Sequence, residues 1–172
     1  MYFKNISLIG FMGSGKSTIG NILAENLNYL FIDTDKMIEY IHGLSVSEIF
    51  KKFGESYFRS IESDIINKVY FNKNCVFACG GGSFNNKDNI KTIRQNSYVV
   101  YLSMTEEEAY ERLKDSKDRP LLTIEGDLRK IIKDIMNQRL DIYINNCDLK
   151  IDIDRKPVIK IKDEIMTNLN LH

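Results

Sequence analysis

Gly10-Phe11-Met12-Gly13-Ser14-Gly15-Lys16-Ser17 sets two glycines, a lysine and a hydroxyl at the spacing G-x-x-x-x-G-K-[ST]. A loop of that pattern wraps a polyphosphate in backbone N–H groups; its lysine reaches the outer phosphates and its last hydroxyl ligates Mg2+. A chance glycine-rich turn is the alternative, and the flanks argue against it. Ile6-Ser7-Leu8-Ile9 forms a short apolar run before the loop, and Ile19, Ile22, Leu23 and Leu27 recur at helical spacing after it. Strand, glycine loop and helix in that order aim the free N–H groups of a helix start at an anion. Nucleotide binding is the expectation.

Phosphoryl transfer to a hydroxyl also needs a carboxylate near Mg2+ and another to orient or deprotonate the acceptor. Asp33-Thr34-Asp35, after the apolar Tyr29-Leu30-Phe31-Ile32, offers both. A helix N-cap with an acidic first turn explains one aspartate more readily than two. Asp33 is assigned to the metal shell and Asp35 to the acceptor hydroxyl. Gly80-Gly81-Gly82 follows the apolar run Cys75 to Cys79. Three glycines exceed what a flexible turn requires, and they let backbone N–H groups close on a ligand.

Arg139 stands inside the apolar stripe of Leu128, Ile131, Ile132, Ile135, Ile142 and Tyr143. A buried guanidinium needs an anion, a carboxylate or a wet cleft, unless it snorkels to solvent. Arg59 lies off the Phe58, Ile61, Ile65 stripe and three residues before Glu62; a surface ion pair and a ligand contact are both open there. Arg119 belongs to the polar stretch Lys114 to Gly126, where a mobile lid could bring a cation to a transition state. A solvated charge is the competing reading.

Elements that would position these groups alternate along the chain. Strands are expected at Ile6–Ile9, Tyr29–Ile32, Cys75–Cys79, Ser97–Leu102 and Leu149–Ile153. Helices are expected at Asp35–Ile41, Ser45–Phe53, Glu55–Phe71, about 105–113, about 127–144 and after Pro157, besides the one following the glycine loop. No element is assigned between Gly82 and Ser97. The pattern implies an α/β fold with a mainly parallel, about five-stranded sheet. Ligands of such sheets sit at the strands' carboxyl ends, where the glycine loop, the aspartate pair and the glycine triplet all fall.

The 172 residues suit one domain, and 43% hydrophobic with 28% charged content is ordinary for a soluble protein. Lys+Arg and Asp+Glu both total 24, so no basic bias points to nucleic acid or an anionic membrane. No run approaches the roughly 18 apolar residues of a spanning helix. The first residues lead directly into a strand, which makes a cytoplasmic location the expectation. Cys75, Cys79 and Cys147 are an odd number without C-x-x-C spacing, so they are expected to be structural thiols. His42 and His172 have no clustered partners, which argues against zinc or a histidine-based triad.

Taken together these motifs resemble the shikimate kinase family over nearly the whole chain. The resemblance rests on Gly10–Ser17 with Thr18, Asp33-Thr34-Asp35, Gly54-Glu55 leading to Phe58-Arg59 and Glu62, Gly80-Gly81-Gly82, Arg119-Pro120-Leu121-Leu122, and Arg139 with Tyr143. It implies a P-loop NTPase-type three-layer sandwich, similar to nucleoside monophosphate kinases, with a mobile lid at about 114–126 and an acceptor-binding segment at about 34–62. It also implies transfer of the γ-phosphoryl of ATP to the 3-hydroxyl of shikimate, with Mg2+ as cofactor and ATP and shikimate as partners of a monomer. Lys16 and Arg119 would stabilise the transferring phosphoryl, and Gly13, Ser14, Gly15, Ser17 and Thr18 would hold the nucleotide. Ser17 would bind Mg2+, with Asp33 in the outer shell. Asp35 would hold the shikimate hydroxyls, Gly80, Gly81 and Gly82 would line them, and Arg59 and Arg139 would grip the carboxylate. Arg112 and Arg155 would lie on the adenine side. The chain departs from the family at Asp141, where a proline is common. The rivals are a P-loop kinase for gluconate or a nucleoside monophosphate and, in a different class, a catalytically silent nucleotide-dependent module.

Overall fold

Five strands, β1 (Asn5–Ile9), β2 (Leu30–Asp33), β3 (Cys75–Ala78), β4 (Tyr98–Ser103) and β5 (Leu149–Asp152), pair in the order β2-β3-β1-β4-β5. Every pairing is parallel, in a computed structural model that describes residues 5–116 and 127–170. Strands covered on both faces must be apolar on both, and the central β1, β3 and β4 alternate between two cores. Ile6, Leu8, Val76, Val100 and Leu102 enter one; Ile9, Cys75, Phe77, Val99 and Tyr101 enter the other.

Helices close each face and give the three-layer sandwich. α1 (Lys16–Leu27), α6 (Glu106–Leu113) and α8 (Val158–Asn168) pack Ile19, Leu23, Ala109, Leu113, Ile161 and Ile165 into the first core. α2 (Thr34–His42), α3 (Val46–Phe53), α4 (Glu55–Val69) and α5 (Lys87–Asn96) send Ile38, Ile49, Phe58, Ile66 and Ile93 into the second. α7 (Leu128–Asn146) supplies Ile132 to one core and Tyr143 to the other. No described helix is long and apolar enough to cross a membrane.

Expected and observed elements differ mainly at their ends. α5 is the exception: a helix occupies Lys87–Asn96 where none was assigned. It is capped by Asn86, whose side chain accepts from Asp88 N, and it buries only Ile93 and Asn89. One apolar and one polar buried residue leave almost no hydrophobic period to detect. Asp141 is exposed and α7 runs through it without interruption, so the missing proline leaves no break in this helix.

Candidate active site

The order β2-β3-β1-β4-β5 sends the chain to one side of β1 and then to the other, which opens a crevice at the carboxyl ends of the strands. Gly15, at φ 80, turns the chain out of the loop into α1, a left-handed conformation glycine adopts without steric penalty. α1 has no side-chain cap and no acidic residue in its first turn, leaving its first N–H groups and positive dipole end for an anion. Lys16 Nζ donates to the carbonyls of Gly10 and Phe11, both at 3.0 Å. A cavity of about 240 Å3 brings Gly15, Lys16, Ser17, Asp33, Asp35 and Gly81 together, with Gly13 and Thr18 also on its wall. Ser14 is fully buried within the loop, its N–H donating to the Phe11 carbonyl.

Asp33 makes two separate contacts. Its Oδ1 accepts from Lys36 N at 3.1 Å, capping α2, while Oδ2 accepts from Ser17 Oγ at 2.5 Å. That hydroxyl–carboxylate pair suits a hard cation. Among the described residues no group of three or more His, Cys, Asp or Glu could hold a metal by itself. Mg2+ needs no such group, since it retains waters and takes phosphate oxygens beside one or two protein ligands.

Two of the three glycines, Gly80 and Gly82, are required by space rather than by φ. A Cβ on Gly80 would lie 2.5 Å from Glu62 Oε1 and 2.6 Å from Asp35 Oδ1, and one on Gly82 would collide with the Arg59 guanidinium. Glu62 is fully buried and accepts from Arg59 Nη1 at 2.8 Å and Ser83 Oγ at 2.6 Å. The Arg59 pairing is therefore not a surface one, although the second partner, Glu55 at 3.1 Å, is half exposed. Burial pulls the Arg59 pKa down, but the charges and hydrogen bonds of Glu62 and Glu55 more than offset this and hold it above the usual guanidinium value. The rings of Phe58 and Phe50 lie 5.1 and 6.0 Å from the same guanidinium.

Arg139 does not snorkel: it is 6% exposed and donates to the Gly81 carbonyl at 2.7 Å. Arg112 lies over the glycine loop, its Nη1 donating to the Gly13 carbonyl at 3.1 Å and its Nε to Glu108. Arg155 is exposed in the turn after β5, at φ 54, and does not line the cavity. Arg119 and most of the expected lid lie outside the described residues.

Three side chains shape the site without an assigned role in the sequence. Thr34 is fully buried; its Oγ1 donates to the Ala78 carbonyl and accepts from Gly80 N at 2.9 Å, joining the start of α2 to the end of β3. Glu62 is a charge in the Phe58, Ile65, Ile66, Val69 stripe of α4, so the argument that singled out Arg139 applies to it as well. Ser83 carries no local signal, because its partner is 21 residues away.

The shikimate kinase family model matches residues 12–170. The shikimate kinase of Caldanaerobacter subterraneus subsp. tengcongensis is 40% identical over 163 residues, 95% of this chain and 94% of the relative. Among solved structures, shikimate kinase from Acinetobacter baumannii in complex with shikimate has a TM-score of 0.94 at 32% identity, covering 98% of this chain and 93% of that one. Shikimate kinase from Aquifex aeolicus vf5 has a TM-score of 0.84 at 37% identity, covering 96% of both chains.

Proposed function

This chain belongs to the shikimate kinase family, and from that premise we propose how its residues divide the work. The reaction is ATP-dependent transfer of the γ-phosphoryl group to the 3-hydroxyl of shikimate, a step in aromatic biosynthesis. The observation that carries the assignment is the single cavity shared by Lys16, Ser17, Asp33, Asp35 and Gly81. It sets a phosphate-binding loop and an acceptor carboxylate against one space.

Lys16 and the N–H groups of Gly13, Gly15, Ser17 and Thr18 hold the phosphates, Ser14 N instead keeps the loop's shape through the Phe11 carbonyl, and Arg112 covers that loop from α6. Ser17, backed by Asp33, would hold Mg2+, which when bound with ATP neutralises charge on the phosphate oxygens. Asp35 orients the acceptor hydroxyl. Arg59 and Arg139, from the acceptor-binding segment and α7, take the shikimate carboxylate in forked hydrogen bonds, with Gly80, Gly81 and Gly82 beneath its hydroxyls. Arg119 supplies a further cation to the transferring phosphoryl. Catalysis on this plan is positioning and charge stabilisation, as phosphoryl transfer requires.

Two isosteric variants separate the carboxylate roles. Asp35→Asn should lower kcat by about 10²-fold or more while the Mg2+ concentration for half-maximal rate stays unchanged. Asp33→Asn should raise that Mg2+ concentration about tenfold, the scale of a lost outer-shell partner. Steady-state rates across a Mg2+ titration check both, and an exchange of the two phenotypes would reverse the assignments.

A further inference from the structure

The Gly81 carbonyl accepts two hydrogen bonds from one helix. Arg139 Nη1 donates at 2.7 Å and Tyr143 Oη at 2.5 Å, from positions one turn apart on α7. Tyr143 is 4% exposed, with its ring packed against Tyr101 at 5.1 Å and Phe84 at 6.4 Å between centroids. Its oxygen lies 3.5 Å from the Gly10 carbonyl, the first residue of the phosphate loop and an acceptor for Lys16. Burial pushes the phenol up to about 12, with Arg139 pulling the other way, so Tyr143 remains a donor throughout the neutral range.

Three consecutive glycines are the loosest backbone a chain can contain, and no side chain of their own restrains them. In a trans peptide the C=O and N–H point in opposite directions, so fixing the Gly81 carbonyl also fixes the Gly82 N–H. The same carbonyl restrains one arm of the Arg139 guanidinium, which has five N–H donors in a rigid fork. We propose that the Tyr143 hydroxyl is a positioning group for the acceptor. With Arg139 it clamps the Gly81 carbonyl, so the orientation of the glycine triplet and of Arg139 toward shikimate depends on a phenol that itself touches neither substrate. This rests on the reading that Arg139 and the triplet bind the acceptor.

The test is a double-mutant cycle of Tyr143→Phe and Arg139→Lys, with shikimate KM, kcat, the Kd for ATP and the Tm measured for each protein. Tyr143→Phe keeps the ring and its packing, so its Tm should stay within a few degrees of the parent. Its KM for shikimate should rise about tenfold, the scale of one buried hydrogen bond, with kcat changed less than twofold and the Kd for ATP unchanged. Arg139→Lys should raise that KM further, since lysine cannot reproduce the fork. Because both donors act on one carbonyl, Tyr143→Phe should then add much less than tenfold on the Arg139→Lys background. Equal multiplication on both backgrounds, or equal loss of ATP and shikimate binding, would show general loosening and overturn the clamp. An unchanged KM in Tyr143→Phe beside a raised one in Arg139→Lys would overturn it too, leaving the Arg139 assignment intact. An unchanged KM in Arg139→Lys would sink that assignment and the clamp with it.

Discussion

A methyl group on Gly82 has nowhere to go except into the Arg59 guanidinium, which Glu62, Glu55 and the rings of Phe50 and Phe58 hold in place. Gly82→Ala should therefore displace Arg59 from Glu62 and weaken shikimate binding at least tenfold, with ATP binding unaltered. The disturbance reaches a buried carboxylate, and breaking such a pair from one side costs about 3–5 kcal/mol, so Tm should fall as well. Isothermal titration with each substrate checks this, and equal loss of both affinities would contradict it. The three glycines were visible in the sequence as too many for a turn. The reason for two of them was not, because it depends on Glu62, Asp35 and Arg59 arriving from other elements. Arg139 was legible as a charge in an apolar stripe. Its partner was not, since a backbone carbonyl 58 residues away has no sequence signature.

At the scale of elements, the site depends on how α2 leaves β2. Asp33 caps the helix, and Thr34, the next residue, faces inward to tie Gly80 N and the Ala78 carbonyl across to β3. That tie places Asp35, one residue on, beside Gly80. Thr34→Val preserves shape but removes the acceptor for Gly80 N. Leaving a buried N–H unsatisfied costs about 1–3 kcal/mol. An unfolding free energy from urea titration lowered by that amount is expected, together with a shikimate KM raised by a few-fold. Unchanged values of both would mean that the strand ends hold their register without the threonine. The central strands β1, β3 and β4 were legible because their apolar runs alternate between two covered faces, and β5 because apolar and exposed polar residues alternate along it. α5 was not, because its cap at Asn86 had no apolar period behind it.

At the scale of the molecule, both cores share one sheet, and a chain of hydrogen-bonded side chains runs into the second. Ser7 Oγ on β1 meets Ser97 Oγ at 2.7 Å and Tyr70 Oη at 3.0 Å, and Tyr70 Oη meets Cys79 Sγ at 3.1 Å. The network joins β1 to the residue just after β3, the residue just before β4 and the end of α4, and Cys79 is on the cavity wall. Local sequence shows Cys79 only as a small buried hydrophobe; the other members of the network, Ser7, Tyr70 and Ser97, come from three separate segments. Burial pushes the Cys79 thiol from 9.0 up to about 12 and the Tyr143 phenol from 10.0 up to about 12, and it raises Tyr70 well above its ordinary value. Each group prefers its protonated form more strongly in the folded chain than in the unfolded one. Their contribution is therefore complete below about pH 9 and is lost as pH climbs toward 12. Ionising any of them inside the folded chain is opposed by burial, so rising pH favours unfolding. Urea midpoints should be level between pH 7 and 8.5 and fall steeply between pH 9 and 11. Cys79→Ser should shift the onset of that fall to higher pH, because a serine hydroxyl does not titrate there. A midpoint that stays level to pH 11 would mean that water reaches these groups in the folded chain. The strands around the glycine triplet would then be looser than their packing implies.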